Sequence, residues 1–159
     1  MHEKSVELLN KAIADELSAI HQYMYFHFHC HDRGYQLLAN LFEKTAIDEM
    51  HHVEKAAERI LFLQGEVEMK PAESVQKIHK VRDMLERAAA MEKQSAQEYN
   101  EWANECAANA DSASKRIFED LVADEERHYD QFATEMDNFD ELGDQYLALH
   151  SIEHTKGIT

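Results

Sequence analysis

The chain has 159 residues, a formal net charge of −16, four glycines and one proline. That length bounds a single domain, 1–159, with room for a substantial core, and the scarcity of turn formers points to an all-helical fold. The acidity excludes a nucleic-acid partner, because no basic patch would offset phosphate repulsion, and no apolar run is long enough to span a membrane.

The opening stretch, MHEKSVELLN, is charged and amphipathic and lacks the basic and apolar regions of a signal peptide, so a cytoplasmic location is expected. A first helix is predicted over about 5–33, with Ser5 as its N-cap and an apolar stripe of Leu9, Ile13, Ile20 and Tyr23. Gly34 breaks it. A second helix then runs to about 64, with Gly65 expected as its C′ residue. The segment GEVEMKPAES holds the only proline and reads as the longest connection. A third helix is predicted over roughly 74–108. The stretch NADSAS supplies a turn with capping residues, and a fourth helix continues to about 139. A short fifth helix follows Gly143, over about 144–152, and the tail HTKGIT is expected to fray. Four long amphipathic helices and a short fifth define a four-helix bundle in which 65–73 is the crossover.

An internal repeat runs through these elements. The first helix carries Glu16, and 33 positions later the second carries Glu49-x-x-His52. The third carries Glu92, and 33 positions later the fourth carries Glu125-x-x-His128. On a helix, Glu49 and His52 lie about 60° apart and share a face, whereas Met50 points about 100° away and His51 lies nearly opposite. All four glutamates fall on faces that otherwise carry core residues. Burying four bare carboxylates would cost many kcal/mol or force several to take up protons. Two divalent cations would balance their charge, and His52 and His128 would add one nitrogen at each metal. One Glu from each of two helices, with a Glu-x-x-His from each of the other two, is the ligand set of di-iron and di-manganese carboxylate bundles. Glu49 and Glu125 are read as bridging. Glu16 with His52 completes one site, and Glu92 with His128 the other. Such a pair can deliver two electrons to O2 or peroxide, which makes the site an oxidase.

The stretches ADELSAIHQY, IDEMHHVEKAAERILFLQG and VADEERHYDQF resemble bacterioferritin, and the similarity extends over about 8–149. The resemblance implies a ferritin-like bundle with a long crossover between its second and third helices. The family's ferroxidase ligands fall on Glu16, Glu49, His52, Glu92, Glu125 and His128. Fe2+ would be oxidised at a di-iron centre by O2 or H2O2 and stored as ferric mineral in a hollow shell of 24 copies built from twofold dimers. An electron-donating ferredoxin is the partner expected for iron release. Met50 matches the methionine that, one from each of two subunits, ligates a shared b-type haem. It stands in a stripe with Ala39, Ala46 and Ala57 that is expected to face outward and admit a second subunit. The resemblance also implies that Tyr23 donates an electron during oxidation, whereas Tyr99, in the same relation to Glu92, is expected as core.

Other features depart from this pattern. Lys44 stands where some bacterioferritins carry an iron-binding histidine, leaving Asp48 as a potential partner, and Gln131 replaces a tryptophan. His27 and His31, in HFHCH, could clip a metal but have no acidic partner set. His150 and His154 could line a fourfold channel. Cys30 and Cys106 lie fourteen residues past Glu16 and Glu92. With the first and third helices antiparallel, each sits about 21 Å along its helix from the centre, in opposite directions, and they cannot bond. The alternative function is a di-iron peroxidase resembling rubrerythrin, without mineral storage. The absence of a CxxC pair, and of an acid one turn after Glu92, argues against it. A purely structural bundle would leave the four glutamates without counter-ions.

Overall fold

Along each long segment apolar residues recur at three- and four-residue spacing, and those positions become the buried ones. The computed structural model describes residues 2–157, apart from the side chains of Glu153, His154 and Lys156. The described residues form five helices and no strand: α1 (Glu3–Asp32), α2 (Gln36–Phe62), α3 (Val81–Ala108), α4 (Ser112–Leu142) and α5 (Asp144–Gly157). The first four pack as two hairpins, α1 with α2 and α3 with α4, and the hairpins close on each other into a ferritin-like four-helix bundle. Two reciprocal contacts fix α1 antiparallel to α3: Tyr23 reaches Glu92, while Tyr99 reaches Glu16. None of these helices is long and apolar enough to cross a membrane.

The hairpin turns are built alike. At the end of α1, Gly34 takes φ 80°, and the Tyr35 N–H donates to the Cys30 carbonyl at 2.9 Å. At the end of α3, Ala110 takes φ 58°, and the Asp111 N–H donates to the Cys106 carbonyl at 2.9 Å. Both are left-handed helix stops that satisfy a terminal carbonyl. Asp111 then caps α4 by accepting from the Ser114 N–H (3.2 Å), and Arg59 of α2 donates to the same carboxylate (2.7 Å). Although burial opposes ionisation, the bonds from Ser114 and Arg59 help bring Asp111 down to about 2.

Residues 63–80 connect the hairpins and run along the outside of α1. Here the backbone bonds mainly to side chains. Asn10 brackets Glu66 and Glu68, the Ser18 hydroxyl accepts from the Ala72 and Glu73 N–H groups, and Gln22 pairs with both backbone groups of Gln76. Spaced four and eight residues apart, these three side chains form one polar stripe on α1. With this segment tethered, 74–80 forms no helix, and α3 begins at Val81 rather than near Ser74. At the end of α2 the left-handed residue is Gln64 (φ 63°), not Gly65. Gly65 is required for space, since a Cβ there would meet Val6 at 2.7 Å.

Three further expectations are corrected. Ser5 does not cap α1. It is buried inside the helix, where its hydroxyl donates to the Cys106 sulfur at 3.6 Å. Helix α4 continues to Leu142, and α5 runs to Gly157 instead of ending near 152. Tyr146 anchors α5 by donating to Glu135 and packing on Phe139. His150 is buried with its ring 4.5 Å from that of Tyr146; the side chain of His154 lies outside the described residues. Cys30 and Cys106 are buried and free, one in each of two apolar clusters. Between those clusters lies a layer of polar side chains.

Candidate metal centre

Glu16 (α1), Glu49 and His52 (α2), Glu92 (α3), and Glu125 and His128 (α4) converge at mid-bundle, each no more than 2 % exposed. They form two overlapping groups able to hold a metal ion. Glu16, Glu49, His52 and Glu125 make one, and Glu49, Glu92, Glu125 and His128 the other. Glu49 and Glu125 belong to both. The His52 Nδ1 lies 3.4 Å from oxygens of Glu16, Glu49 and Glu125. The His128 Nδ1 lies 3.2 Å from Glu49 and Glu125 and 3.5 Å from Glu92. The two shared carboxylates therefore face both imidazoles, and the two outer ones face one each.

These inward atoms do not hydrogen-bond to one another. Glu16 Oε2, Glu49 Oε1, His52 Nδ1, Glu92 Oε2, both oxygens of Glu125 and His128 Nδ1 are buried without a partner. Isolated buried polar atoms are costly, and seven around one point cannot be a relaxed protein core. Their spacing has a simple reading. Atoms that each sit about 2.0–2.2 Å from a common divalent ion lie about 3.0–3.5 Å apart. The donor set, carboxylate oxygen with imidazole nitrogen and no thiolate, suits iron or manganese.

The charge state tells the same story. Burial, followed by the charges of Glu16 and Glu92, pushes Glu49 well above the usual carboxylate range, and burial with the same neighbours raises Glu125. Burial alone would lower both imidazoles. The nearby carboxylates of Glu16 and Asp124 outweigh it and raise His52, and those of Glu125 and Glu92 push His128 up to about 11. Without cations, protons must fill the centre.

Two carboxylates outside this ring were only partly foreseen. His52 Nε2–H donates to Asp124 (2.8 Å), and His128 Nε2–H donates to Asp48 (2.9 Å). Each bond crosses between α2 and α4, fixes the ring and leaves Nδ1 pointing inward, the usual support for a metal-bound histidine. Burial works against ionisation of both aspartates, but the histidines and Arg127 hold them below the usual carboxylate range. The signal was in the repeat, which reads Asp-Glu-x-x-His in both halves. The tyrosines complete the symmetry. Tyr23 donates to Glu92 Oε1 at 2.7 Å, and Tyr99, expected only as core, donates to Glu16 Oε1.

Away from the centre the sequence reading fares unevenly. Met50 is 44 % exposed on α2, but Ala39 and Ala46 are buried, so the alanine stripe is not an outward face. These positions lie on the flank of α2, where a short side chain stays in the groove beside α1 and only a long one emerges. His51 is exposed, 3.7 Å from Glu54. His27 is not free for a metal: Nδ1–H donates to the Ala39 carbonyl (2.8 Å), and Nε2 lies 3.1 Å from Glu43. An acidic cleft bordered by Asp15, Glu73 and Glu98 reaches Glu49 and Tyr23. Burial and the neighbouring Glu98 push Asp15 up to about 8.

Bundle and centre together define a ferritin-like domain, and residues 6–142 match the family profile of that description. The chain is 37 % identical over 147 residues to a bacterioferritin of Rhodobacter capsulatus, covering 92 % of this chain and 91 % of the relative. It is also 37 % identical over 145 residues to one from Desulfovibrio desulfuricans, covering 91 % and 81 %. A crystal structure of the D. desulfuricans bacterioferritin, from work on its diiron site in different catalytic states, superposes with a TM-score of 0.91 at 36 % identity. That match covers 93 % of this chain and 86 % of the other. The chain belongs to the bacterioferritins.

Proposed function

We propose that this protein takes up Fe2+, oxidises it at a two-metal centre and stores the product as ferric mineral within a shell of 24 copies in the cytoplasm. The observation that carries the reading is the ring of seven buried, partnerless ligand atoms on Glu16, Glu49, His52, Glu92, Glu125 and His128. Glu49 and Glu125 bridge the two positions, Glu16 and His52 complete one, and Glu92 and His128 the other. Bound there, a pair of ferrous ions supplies two electrons at one place to O2 or H2O2, which makes the chain a ferroxidase.

The chain's own groups prepare that step. The acidic cleft at Asp15, Glu73 and Glu98 attracts a cation toward Glu49. Asp48 and Asp124 hold the imidazoles so that Nδ1 faces inward. Ions entering the centre displace the protons that burial would otherwise force upon the carboxylates. Tyr23, with its hydroxyl on Glu92, stands ready to give an electron and a proton.

Haem is the second group in this reading. The Met50 thioether emerges at the edge of α2 beside buried alanines, and Ile47, Phe28 and Leu61 are also exposed apolar residues on α1 and α2. A twofold pairing of such surfaces would bring two Met50 sulfurs to one b-type haem. A ferredoxin donating electrons through that haem would release the iron.

The test is an aerobic Fe2+ titration of metal-free protein, following ferric absorbance against iron added per subunit. Oxidation that continues far past two irons, with iron remaining soluble on the protein, supports storage. A signal that stops near two, with peroxide consumed catalytically, makes the protein a di-iron peroxidase instead.

A further inference from the structure

The two tyrosines of the centre have different surroundings. Tyr23 packs on Phe42 and Phe132, ring centroids 6.2 and 5.5 Å away, and both phenylalanines are fully buried. Tyr99 packs on Phe118 at 5.8 Å and on Trp102 at 5.6 Å. Trp102 is the only tryptophan in the chain, and of these rings it alone reaches solvent. Its counterpart 76 positions earlier is Phe26, which is fully buried. Both phenols are buried, and the aromatic rings against Tyr23 are buried with it. Tyr99 touches an indole at the surface.

Phenol and indole are the side chains most readily oxidised by one electron, and a phenol gives up its electron far more easily when a base waits for its proton. For Tyr99 that base is the outer oxygen of Glu16. The other oxygen, Oε2, is the partnerless one that faces the centre. We propose that Tyr99 and Trp102 form an electron route from the protein surface into the metal centre, separate from Tyr23. The proposal rests on the ferroxidase reading.

The electrons balance as follows. Reducing O2 to two waters takes four electrons and four protons. Two ferrous ions supply two electrons and become ferric. Tyr23 and Tyr99 each supply one electron and one proton, and solvent supplies the remaining two protons. The Tyr99 proton moves along its hydrogen bond to Glu16 and onward to the oxygen being reduced, leaving a neutral phenoxyl radical. A ferrous ion in solution then refills that radical through Trp102. It becomes ferric, and a proton from solvent returns to the phenol. Tyr23, lacking an exposed aromatic neighbour, is refilled more slowly.

The experiment is freeze-quench electron paramagnetic resonance on protein loaded with two Fe2+ per subunit and mixed with O2. It is run in a Tyr23→Phe background with a third Fe2+ per subunit added to replace the lost Tyr23 electron, so that three ferrous ions and Tyr99 supply the four electrons and the only tyrosine left on a ligand is Tyr99. A tyrosyl signal is expected that vanishes in Tyr23→Phe/Tyr99→Phe and survives several-fold longer when Trp102→Phe is added and Fe2+ is in excess. Cobalt titration of the metal-free variants establishes that the centre still folds and binds. Absence of the signal in the single variant, or a lifetime indifferent to Trp102→Phe, overturns the proposal while leaving iron oxidation intact. Failure of the wild-type protein to oxidise Fe2+ at all overturns the underlying reading, and the proposal with it.

Discussion

The hairpin of α1 and α2 and the hairpin of α3 and α4 hold matching residues 76 positions apart: Glu16 and Glu92, Tyr23 and Tyr99, Cys30 and Cys106, Asp48 and Asp124, Glu49 and Glu125, His52 and His128. They differ in what encloses that set. In the first half Phe26 and Phe42 are fully buried, and Phe132 of α4 helps to close the space over Tyr23. In the second half Phe118 and Trp102 do this work, and the position matching Phe132 is Ala56. Residues that must meet a shared charge requirement are duplicated faithfully. Residues that only fill space have diverged more: Phe42 and Phe118 still match, but Phe26 answers to Trp102 and Ala56 to Phe132, because several shapes can occupy the same volume.

The sharpest way to break the comparison is at the carboxylates shared by both halves. Glu49→Gln and Glu125→Gln should each lower the rate of Fe2+ oxidation more than about 100-fold, beyond the usual effect of changing a residue that merely supports a ligand. Glu16→Gln and Glu92→Gln should spare one position each. Cobalt titration measures this directly: two ions per subunit in the parent, one in the outer variants and none in the bridging ones.

A smaller effect concerns pH. In metal-free protein Glu49, Glu125, His52 and His128 all hold protons more tightly when folded than when unfolded. Groups raised in this way contribute stability that is complete at low pH and lost as pH rises through their folded values. For His128 the window opens near 6.5 and closes near 11. The melting temperature of the metal-free protein should therefore fall as pH rises above 6.5, and bound cobalt should restore more stability at the alkaline end. A flat profile would mean that the centre is not desolvated as described.

The smallest effects distinguish the two turns. Gly34→Ala places a Cβ at φ 80° and should cost about 1–2 kcal/mol, whereas Ala110→Gly relieves the strain at φ 58° and should gain up to about 1 kcal/mol. Urea denaturation of both variants with metal bound provides the measurement.

Much of this architecture was legible because it is local or repeated. The Glu-x-x-His pairs, their 33-residue spacing from Glu16 and Glu92, and the breaks at Gly34 and Gly143 all lie in short windows. The start of α3 was not legible, since nothing near Ser74 forbids a helix. What prevents one is Ser18 and Gln22, more than fifty residues away. The same holds for Ser5, which looks like a cap until Cys106 arrives against it. The alanine stripe failed for a different reason: angle around a helix gives direction but not depth, and Ala46 is too short to leave the groove from which Met50 emerges. Asp124 is legible only through the repeat, 76 positions after Asp48.

The segment from 63 to 80 has a consequence for how the molecule is put together. It is fastened along one helix chiefly by the side chains of Asn10, Ser18 and Gln22, and it contributes little to the interior. A single proteolytic cut within it would leave two complementary fragments, each a helical hairpin with three of the six ligands. Neither fragment could complete either metal group alone, since each group draws on both hairpins. Metal would then serve as the glue for reassembly, so a nicked chain becomes a means of weighing the ions' hold on the fold against that of the covalent link.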